Sequence, residues 1–381
     1  MSVAPIPRTR SDLAYNGLTI RVHSADSSHL SWLEEFLAPQ FQRLEASAYE
    51  CAVSLTANDQ LFEEVLRKGA RPDGGLVDCF ALDSTLVQLP LWGSPGPDRI
   101  IFDPPFRVFY IVNADGTESD VLSRPDSLAA RISLMRVVRE FAMNQSHRKG
   151  RLIIHGAAFA VGDRAVIVAG PKRVGKTTLL IHALRAEGAA YVSNDRVVVS
   201  YDGPVPRLHG MPTVVTIRAH TLEMFPDLMD RLLDRAYHSR LSLSEVRAAR
   251  FRPVQTGASG QFYLSPAQFC DLLQVASLAQ AQVGALVFPR VTGSAGAIEV
   301  ERVSVEVAAT RLRACLFSAH SAQKVSAVFA PRGERFSPDQ RTLEHLCHTL
   351  ASHVPCFECR LGNGAYRSAD SAARLIRDLF G

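Results

Sequence analysis

Lysine is scarce in this sequence. Of 42 basic residues among 381, five are lysine (Lys68, Lys149, Lys172, Lys176 and Lys324) and the other 37 are arginine. A coding bias that replaces lysine by arginine wherever a positive charge suffices accounts for the imbalance, so a position that keeps lysine asks for a chemical reason. Long apolar runs are lacking too: no stretch approaches the ~18 residues of a membrane-spanning helix. The opening MSVAPIPRTRSD has no apolar core of the kind a secretory signal carries, so a cytoplasmic protein without a membrane partner is expected. Net charge is only +4, too mild by itself to argue for a nucleic-acid partner, and none is expected. No repeat or low-complexity segment breaks the chain. With 47% apolar and 21% charged residues, wholesale disorder is excluded and a packed core is expected. At roughly 150 residues per domain, the length suits two domains.

Cysteine is limited to seven scattered residues, an odd number that suits free thiols in a reducing compartment. The group His345, Cys347, His348, His353, Cys356 and Cys359 invites zinc. Against it, Cys347 falls with its histidines in an expected helix, Thr342–Ser352, while Cys356 and Cys359 fall in an expected strand. A spacing of three there points them to opposite faces, so buried thiols are the expectation.

Residues 1–14 read as a loose tail. Over 15–125, strand-like segments (Leu18–Val22, Ala52–Leu55, Leu86–Leu89, Phe106–Val112) alternate with helical ones (Ser31–Leu37, Asp59–Arg67). Turn signals at Pro72–Gly75 and Asp115-Gly116 separate them, as in a small α/β accessory domain. Residues 126–150 read as a linking amphipathic helix. Leu128, Ile132, Leu134, Met135, Val138, Phe141 and Ala142 lie mostly on one face, and Arg131, Arg136, Arg139 and Glu140 mostly elsewhere. The polar run Asn144–Gly150 ends it and marks the domain junction. A second α/β domain, 151–381, follows.

That second domain carries the clearest chemical signal. Arg151–His155 and Ala157–Val161 are extended and apolar, and Gly162-Asp163-Arg164 reads as a hairpin turn into the strand Ala165–Ala169. The strand runs straight into Gly170-Pro171-Lys172-Arg173-Val174-Gly175-Lys176-Thr177, and a helix follows to Glu187. This is G-x-x-x-x-G-K-[ST] in the strand–loop–helix context the motif requires. Glycines let backbone N–H groups curl around anionic oxygens, and the helix start contributes its positive dipole end. Lys176 suits the β- and γ-phosphates of ATP, and Thr177, followed by Thr178, offers a hydroxyl to Mg²⁺. Lys172 and Arg173 either touch the nucleotide or a phosphorylated product, or stand as solvated charge at the loop tip. The second metal ligand should be an acid at the end of a neighbouring strand. Asp195, inside the strand-like Ala190–Ser200, is the first candidate, and Asp163 is its rival.

The order His155-Gly156, hairpin, phosphate loop, one helix, then a strand bearing Asn194-Asp195-Arg196-Val197 resembles the catalytic domain of HPr kinase/phosphorylase and its HPr-kinase-like relatives. That fold is in turn similar to the nucleotide-binding core of phosphoenolpyruvate carboxykinase. The resemblance is clear over about residues 150–200 and continues more weakly through Arg207–Arg218 and Gly284–Arg290. It implies an α/β protein with a P-loop kinase core of the HPr kinase/PEP carboxykinase type, an N-terminal α/β accessory domain, and assembly into an oligomer. The family carries two adjacent aspartates after the helix, one acting as base for a serine hydroxyl, and by position these fall on Asn194 and Asp195. An amide cannot accept that proton. Asp195 would then serve both metal and hydroxyl, or the chemistry would rest on positioning and charge alone, or catalysis would be impaired. His155 either orients the acid or relays a proton, or is a structural residue at a strand end.

Elsewhere, helical stretches are expected at Ala219–Leu233 (interrupted by Pro226) and Ser242–Arg250, the latter with Arg247, Arg250 and Arg252 close together before the run Thr256–Gly260. These arginines are either part of acceptor recognition or a solvated face. Arg290, after the strand-like Ala285–Phe288, reads as an arginine clamp on phosphate or as an ordinary surface ion pair. A closing helix is expected at Ser368–Leu379. The expected activity is transfer of the γ-phosphoryl of ATP to a hydroxyl, a serine of a peptide or protein first and a small-molecule hydroxyl close behind. Two rivals stand: a non-catalytic ATP-binding switch protein, and a carboxykinase-like enzyme.

Overall fold

In the computed structural model, described residues are 9–80, 86–93, 96–127, 129–233, 261–292, 298–318, 327–330, 337–362 and 369–380. They form a mixed α/β protein with large mixed sheets. The chain divides into two compact units, one of residues 1–149 with 324–337, the other of 150–323 with 338–381.

Nine strands make the first unit's sheet: β1 (Thr9–Tyr15), β2 (Leu18–Ser24), β3 (Gln42–Leu44), β4 (Cys51–Ala57), β5 (Leu76–Phe80), β6 (Leu86–Trp92), β7 (Arg99–Asp103), β8 (Val108–Val112) and β9 (Glu118–Ser123). Their order across the sheet is β3-β1-β2-β4-β9-β8-β7-β6-β5. The expected tail is corrected over residues 9–14, while residues 1–8 lie outside the described residues. Thr9–Tyr15 pairs along its length with β2, and Asp12 lies opposite Arg21 in the register. Leu13 and Tyr15 are buried, and Asp12 accepts from Arg21 Nε at 2.8 Å. A polar sequence is held as a strand by that partner. The helices α1 (Ser27–Leu37) and α2 (Asp59–Arg67) begin on Asp26 and Asn58, whose side chains accept from Ser28 and Leu61 N–H groups. Such caps satisfy helix-start donors and contribute about 1 kcal/mol each.

The linking helix is also corrected. α3 (Ala130–Arg148) continues through Asn144–Arg148 and is buried on nearly every side. It packs on β2, β4 and β9. Arg136 is held by the Asp103 carboxylate at 2.6 Å and the Tyr110 hydroxyl at 3.0 Å, with the Phe106 ring 4.7 Å away. A charged residue is tolerated inside because its donors are matched. Asn144 Nδ2 donates to the Phe329 carbonyl at 2.8 Å, and Arg99 donates to those of Ala327 and Ala330. A short stretch from far along the chain is thereby fixed into this unit.

The second unit contains β10 (Leu152–Val161), β11 (Arg164–Ala169), α4 (Lys176–Ala183), β12 (Ala189–Ser193), β13 (Arg196–Ser200), β14 (Arg207–Met211), β15 (Val215–Arg218), α5 (Ala219–Leu222), α6 (Pro226–Leu233), β16 (Gln261–Leu264), α7 (Pro266–Leu273), β17 (Gln280–Val291), β18 (Glu299–Arg302), α8 (Val305–Arg313), α9 (Gln340–His353), β19 (Cys356–Leu361) and α10 (Ala369–Phe380). The expected Ser242–Arg250 helix, with Arg247, Arg250 and Arg252, and the run Thr256–Gly260 lie outside the described residues. The main sheet runs β11-β10-β13-β14-β17-β19-β18, and β17 also pairs in parallel with β11. Pairing therefore returns on itself through β10, β13, β14, β17 and β11.

Alternation along the central strands sorts side chains onto two apolar layers. Val166, Val168, Ala285 and Val287 join one core with Leu179, Leu180, Phe225, Phe269 and Leu375, from the α4, α6, α7 and α10 side. Ala165, Ile167, Leu286 and Phe288 join the other with Leu312, Leu343 and Leu350, from α8 and α9. Strands covered on both faces read as unbroken apolar runs, as these do. Each buried Val, Leu, Ile or Phe contributes roughly 1.5–3 kcal/mol before chain entropy is charged against it. Cys347 and Cys356 belong to the second core and Cys359 to the first, so the strand's cysteines do point to opposite faces.

Candidate functional site

The turn Gly162-Asp163 joins β10 to β11 with Val161 opposite Arg164, and Gly162 takes φ +62°. Asp163 thus sits at the start of β11, whereas the Gly170–Thr177 loop leaves from its end. Six residues of strand separate them by ~20 Å, which removes Asp163 as a partner of the loop. Strands β11 and β19 each pair in parallel with β17, and the loop lies at the carboxyl ends of these three strands.

Two glycines make the loop's path available. Gly175 has φ +99°, and a Cβ there would meet Leu361 Cδ1 at 2.8 Å and Val291 Cγ2 at 3.1 Å. At Gly170 a Cβ would meet Val174 Cγ2 at 2.8 Å. Leu361 and Val291 are the last residues of β19 and β17, so the strand ends form a wall behind the loop. Arg173 is the loop's one non-glycine residue in the left-handed region, φ +73°, and such a conformation stores of order 1 kcal/mol. Pro171, Lys172 and Arg173 are exposed, while Val174 and Thr177 are half-buried and Thr178 is buried.

α4 starts directly from Gly175 without any side-chain cap. Its first N–H groups carry the positive end of the helix dipole toward the loop. Lys176 is 9% exposed, and its Nζ donates to the carbonyl oxygens of Gly170 at 2.7 Å and Pro171 at 2.9 Å. Burial pushes its ammonium down to about 8, with the charge of Asp195 working in the opposite direction.

The expected strand Ala190–Ser200 is in fact two. β12 ends at Ser193 and β13 begins at Arg196, with Asn194 and Asp195 in a bend between them. Ala158 pairs with Ser193 and His155 with Arg196, so the bend lies opposite Gly156-Ala157. The Gly156 N–H donates to the Asp195 carbonyl at 3.0 Å. A side chain on Gly156 would press on the Val168 carbonyl at 3.0 Å, so the glycine suits the close approach of β11. The bend turns two adjacent side chains in different directions.

Asp195 turns toward His155 and Arg196. His155 Nε2 lies 3.3 Å from Oδ1, and Arg196 Nε lies 3.4 Å from Oδ2. Burial opposes the charged carboxylate. The hydrogen bond and charge of His155, then the charges of Arg196 and Lys176, outweigh it and hold Asp195 well below the usual carboxylate range. Its side chain keeps 22% exposure. It is an ionised, accessible oxygen donor within electrostatic reach of Lys176, the kind of group a hard divalent cation takes.

Asn194 turns the other way. Its Oδ1 accepts from the Tyr191 hydroxyl at 2.7 Å and the Thr213 hydroxyl at 3.2 Å, and its Nδ2 donates to the Val214 carbonyl at 3.4 Å. Tyr191 in turn sits edge-on to Phe269, with ring centroids 5.5 Å apart. The carboxamide joins β12 to the segment after β14.

Sequence reasoning passed over Arg196 as a working group and missed Phe317. Arg196 is 2% exposed and lies with its guanidinium carbon 4.7 Å from the Phe317 ring centroid. An arginine beside an aspartate within a valine run was the available signal. Arg290 is exposed at the end of β17, beside the strand residues that wall the loop.

No family model matches this chain, and no curated protein is significantly similar to it. Among the described residues, no helix is long and apolar enough to cross a membrane, and no group of three or more His, Cys, Asp or Glu side chains is arranged to hold a metal.

Proposed function

We propose that the chain is an ATP-dependent phosphotransferase that moves the γ-phosphoryl group to a hydroxyl, with a serine of a peptide or protein as the first acceptor class and a small-molecule hydroxyl as the second. The carrying observation is Lys176. The second unit folds a buried ammonium into a glycine loop at the carboxyl ends of three parallel strands, beside an ionised carboxylate. The resemblance to HPr-kinase-like enzymes over residues 150–200 points the same way.

In this reading the loop amides from Gly170 to Thr178 and the uncapped start of α4 bind the phosphates, and Lys176 releases its two loop carbonyls to neutralise the β- and γ-oxygens. The residues present fit a divalent cation, which Thr177 and Asp195 would hold. A bound Mg²⁺ would supply charge neutralisation to the phosphates. His155 and Arg196 would keep the Asp195 carboxylate ionised and aimed, and Asp195 or His155 would assist removal of the acceptor proton. Asn194 supports the bend and moves no proton. Phosphoryl transfer through a loose transition state asks for positioning and charge neutralisation first, so an absent second aspartate is compatible with activity.

The test is incubation with γ-labelled ATP, Mg²⁺ and candidate serine peptides, with Lys176→Ala as control. Label transfer that vanishes in the variant supports the reading. Tight Mg²⁺-dependent ATP binding with no transfer or hydrolysis would replace it with a nucleotide-operated switch protein. The engagement of Asn194 by Tyr191 and Thr213, in place of a second acid, is the observation favouring that rival.

A further inference from the structure

Asp195 is gripped by two groups that come from different strands, His155 from β10 and Arg196 from β13. Both rest on one ring. The Phe317 centroid is 5.7 Å from that of His155, tilted at 53°, and 4.7 Å from the Arg196 guanidinium carbon. Phe317 is 2% exposed, so its ring is fixed by packing.

The segment bearing Phe317 is itself locked in register. Beyond α8, Cys315–Phe317 runs alongside the start of β10 as an added edge. The His155 N–H donates to the Cys315 carbonyl at 2.7 Å, the Phe317 N–H donates to the Ile153 carbonyl at 2.8 Å, and Leu316 pairs with Ile154 between them. Two ladder bonds on either side of one bridge leave the ring no freedom to slide by a residue, because a one-residue slip would turn it to the opposite face.

We propose that Phe317 is a positioning residue for the Asp195 carboxylate: as the shared platform of His155 and Arg196, it sets the directions from which the two carboxylate oxygens are held. Arginine over an aromatic face is attracted to the ring electrons and keeps its fork in a fixed plane, and an imidazole against the same ring loses its rotational freedom. The groups facing Asp195 are then pre-organised, as outer groups around a working site must be. Phe317 acts on the carboxylate through these two residues, whose contacts with its ring are those described. This inference rests on the reading of Asp195 as a working carboxylate of a phosphotransferase.

The experiment determines crystal structures of the full-length wild type, Phe317→Leu, Phe317→Met and Phe317→Tyr and measures ATP turnover in each. Phe317→Leu, or Phe317→Met should the leucine variant fold poorly, is expected to displace the His155 imidazole and the Arg196 guanidinium from the Asp195 oxygens, while Phe317→Tyr, which keeps the ring, retains the wild-type arrangement. In parallel, kcat for ATP turnover should fall about tenfold in the ring-less variants with KM for ATP near its wild-type value. A folded ring-less variant with His155 and Arg196 in their wild-type positions overturns the proposal. A displaced pair in a protein that transfers no phosphoryl group leaves the positioning role standing and removes the phosphotransferase reading. Transfer at wild-type kcat in Phe317→Leu does the reverse.

Discussion

The Nζ of Lys176 lies 2.7 Å from the carbonyl oxygen of Gly170, six residues back along the same loop. The ammonium is thus stored against the backbone it would leave when an anion enters, and burial has already lowered its proton affinity to about 8. An entering phosphate raises that affinity again. The bound state then holds more protons than the free state above pH 8. If the loop binds nucleotide as proposed, affinity should be fully developed below about pH 8 and decline as pH rises beyond it, with proton uptake on binding just above pH 8. Calorimetry in buffers of different ionisation enthalpy measures that uptake. Lys176→Ala should abolish the pH dependence and weaken binding by about 10–100-fold, the worth of one charge-assisted contact.

Gly175→Ala should be far more damaging than Gly162→Ala. Both glycines have positive φ, but a Cβ on Gly175 enters Leu361 and Val291, whereas nothing lies within 4 Å of one on Gly162. The Gly162 change should lower stability by about 1 kcal/mol, the left-handed penalty alone, with ATP binding intact. The Gly175 change should cost more stability and remove ATP binding. Thermal melts with and without nucleotide separate the two.

Acid should act on the second unit through Asp195. Its folded pKa lies below the ordinary 3.8, so its contribution is fully present above that value and is lost as pH falls toward the folded value. Over that window the wild type should lose up to ~1.4 kcal/mol more per pH unit than Asp195→Asn, the slope for one proton. Urea titrations between pH 4 and pH 2 measure the difference.

Asn194→Asp should lower stability by about 1–3 kcal/mol, because the Val214 carbonyl then faces a carboxylate in place of a donor. Asn194→Ala and Thr213→Val should be less than additive, since both alter one hydrogen-bonded group. Chemical denaturation of the single and double variants tests this. A stabilised Asn194→Asp would contradict the geometry.

In the first unit, Arg136→Met should cost about 3–5 kcal/mol, because it strands the buried Asp103 carboxylate without its partner. Pairing it with Asp103→Leu should recover much of the loss. Denaturation monitored at Trp92 reports it.

The strand, glycine loop and helix from Ala165 to Ala183 were legible in the sequence because each local signal agreed with its neighbours: apolar run, glycine spacing, lysine, then helix formers. α2 was legible to the residue, its expected span Asp59–Arg67 matching the helix found. Other features depended on partners far along the chain. Thr9–Tyr15 is polar on its own and becomes a strand only against β2. α3 shows an amphipathic pattern, yet its charged face is covered, and Arg136 survives there through Asp103 and Tyr110. The run from Ala190 to Ser200 is apolar on both sides of Asn194-Asp195, so periodicity could not reveal the bend that sends those two side chains apart. Phe317 stands 162 positions after His155 in a segment without any motif. Its place beside the imidazole is a product of backbone pairing with Ile153 and His155, information that exists only in three dimensions.

The anchoring of Ala327–Ala330 by Arg99 and Asn144 has a consequence for dissecting the molecule. The boundary at residue 150 is crossed more than once, since the chain returns to the first unit before finishing the second. A gene fragment ending at Lys149 would lose the carbonyls that receive those two side chains, and the complementary fragment would carry an orphaned strip with the Phe329 ring exposed. Neither half of a simple bisection is a complete folding unit. Separate expression calls for transplanting 324–337 onto the first unit or circularly permuting the gene, and any sequence inserted between Phe317 and Ala327 must let the chain both leave and come back.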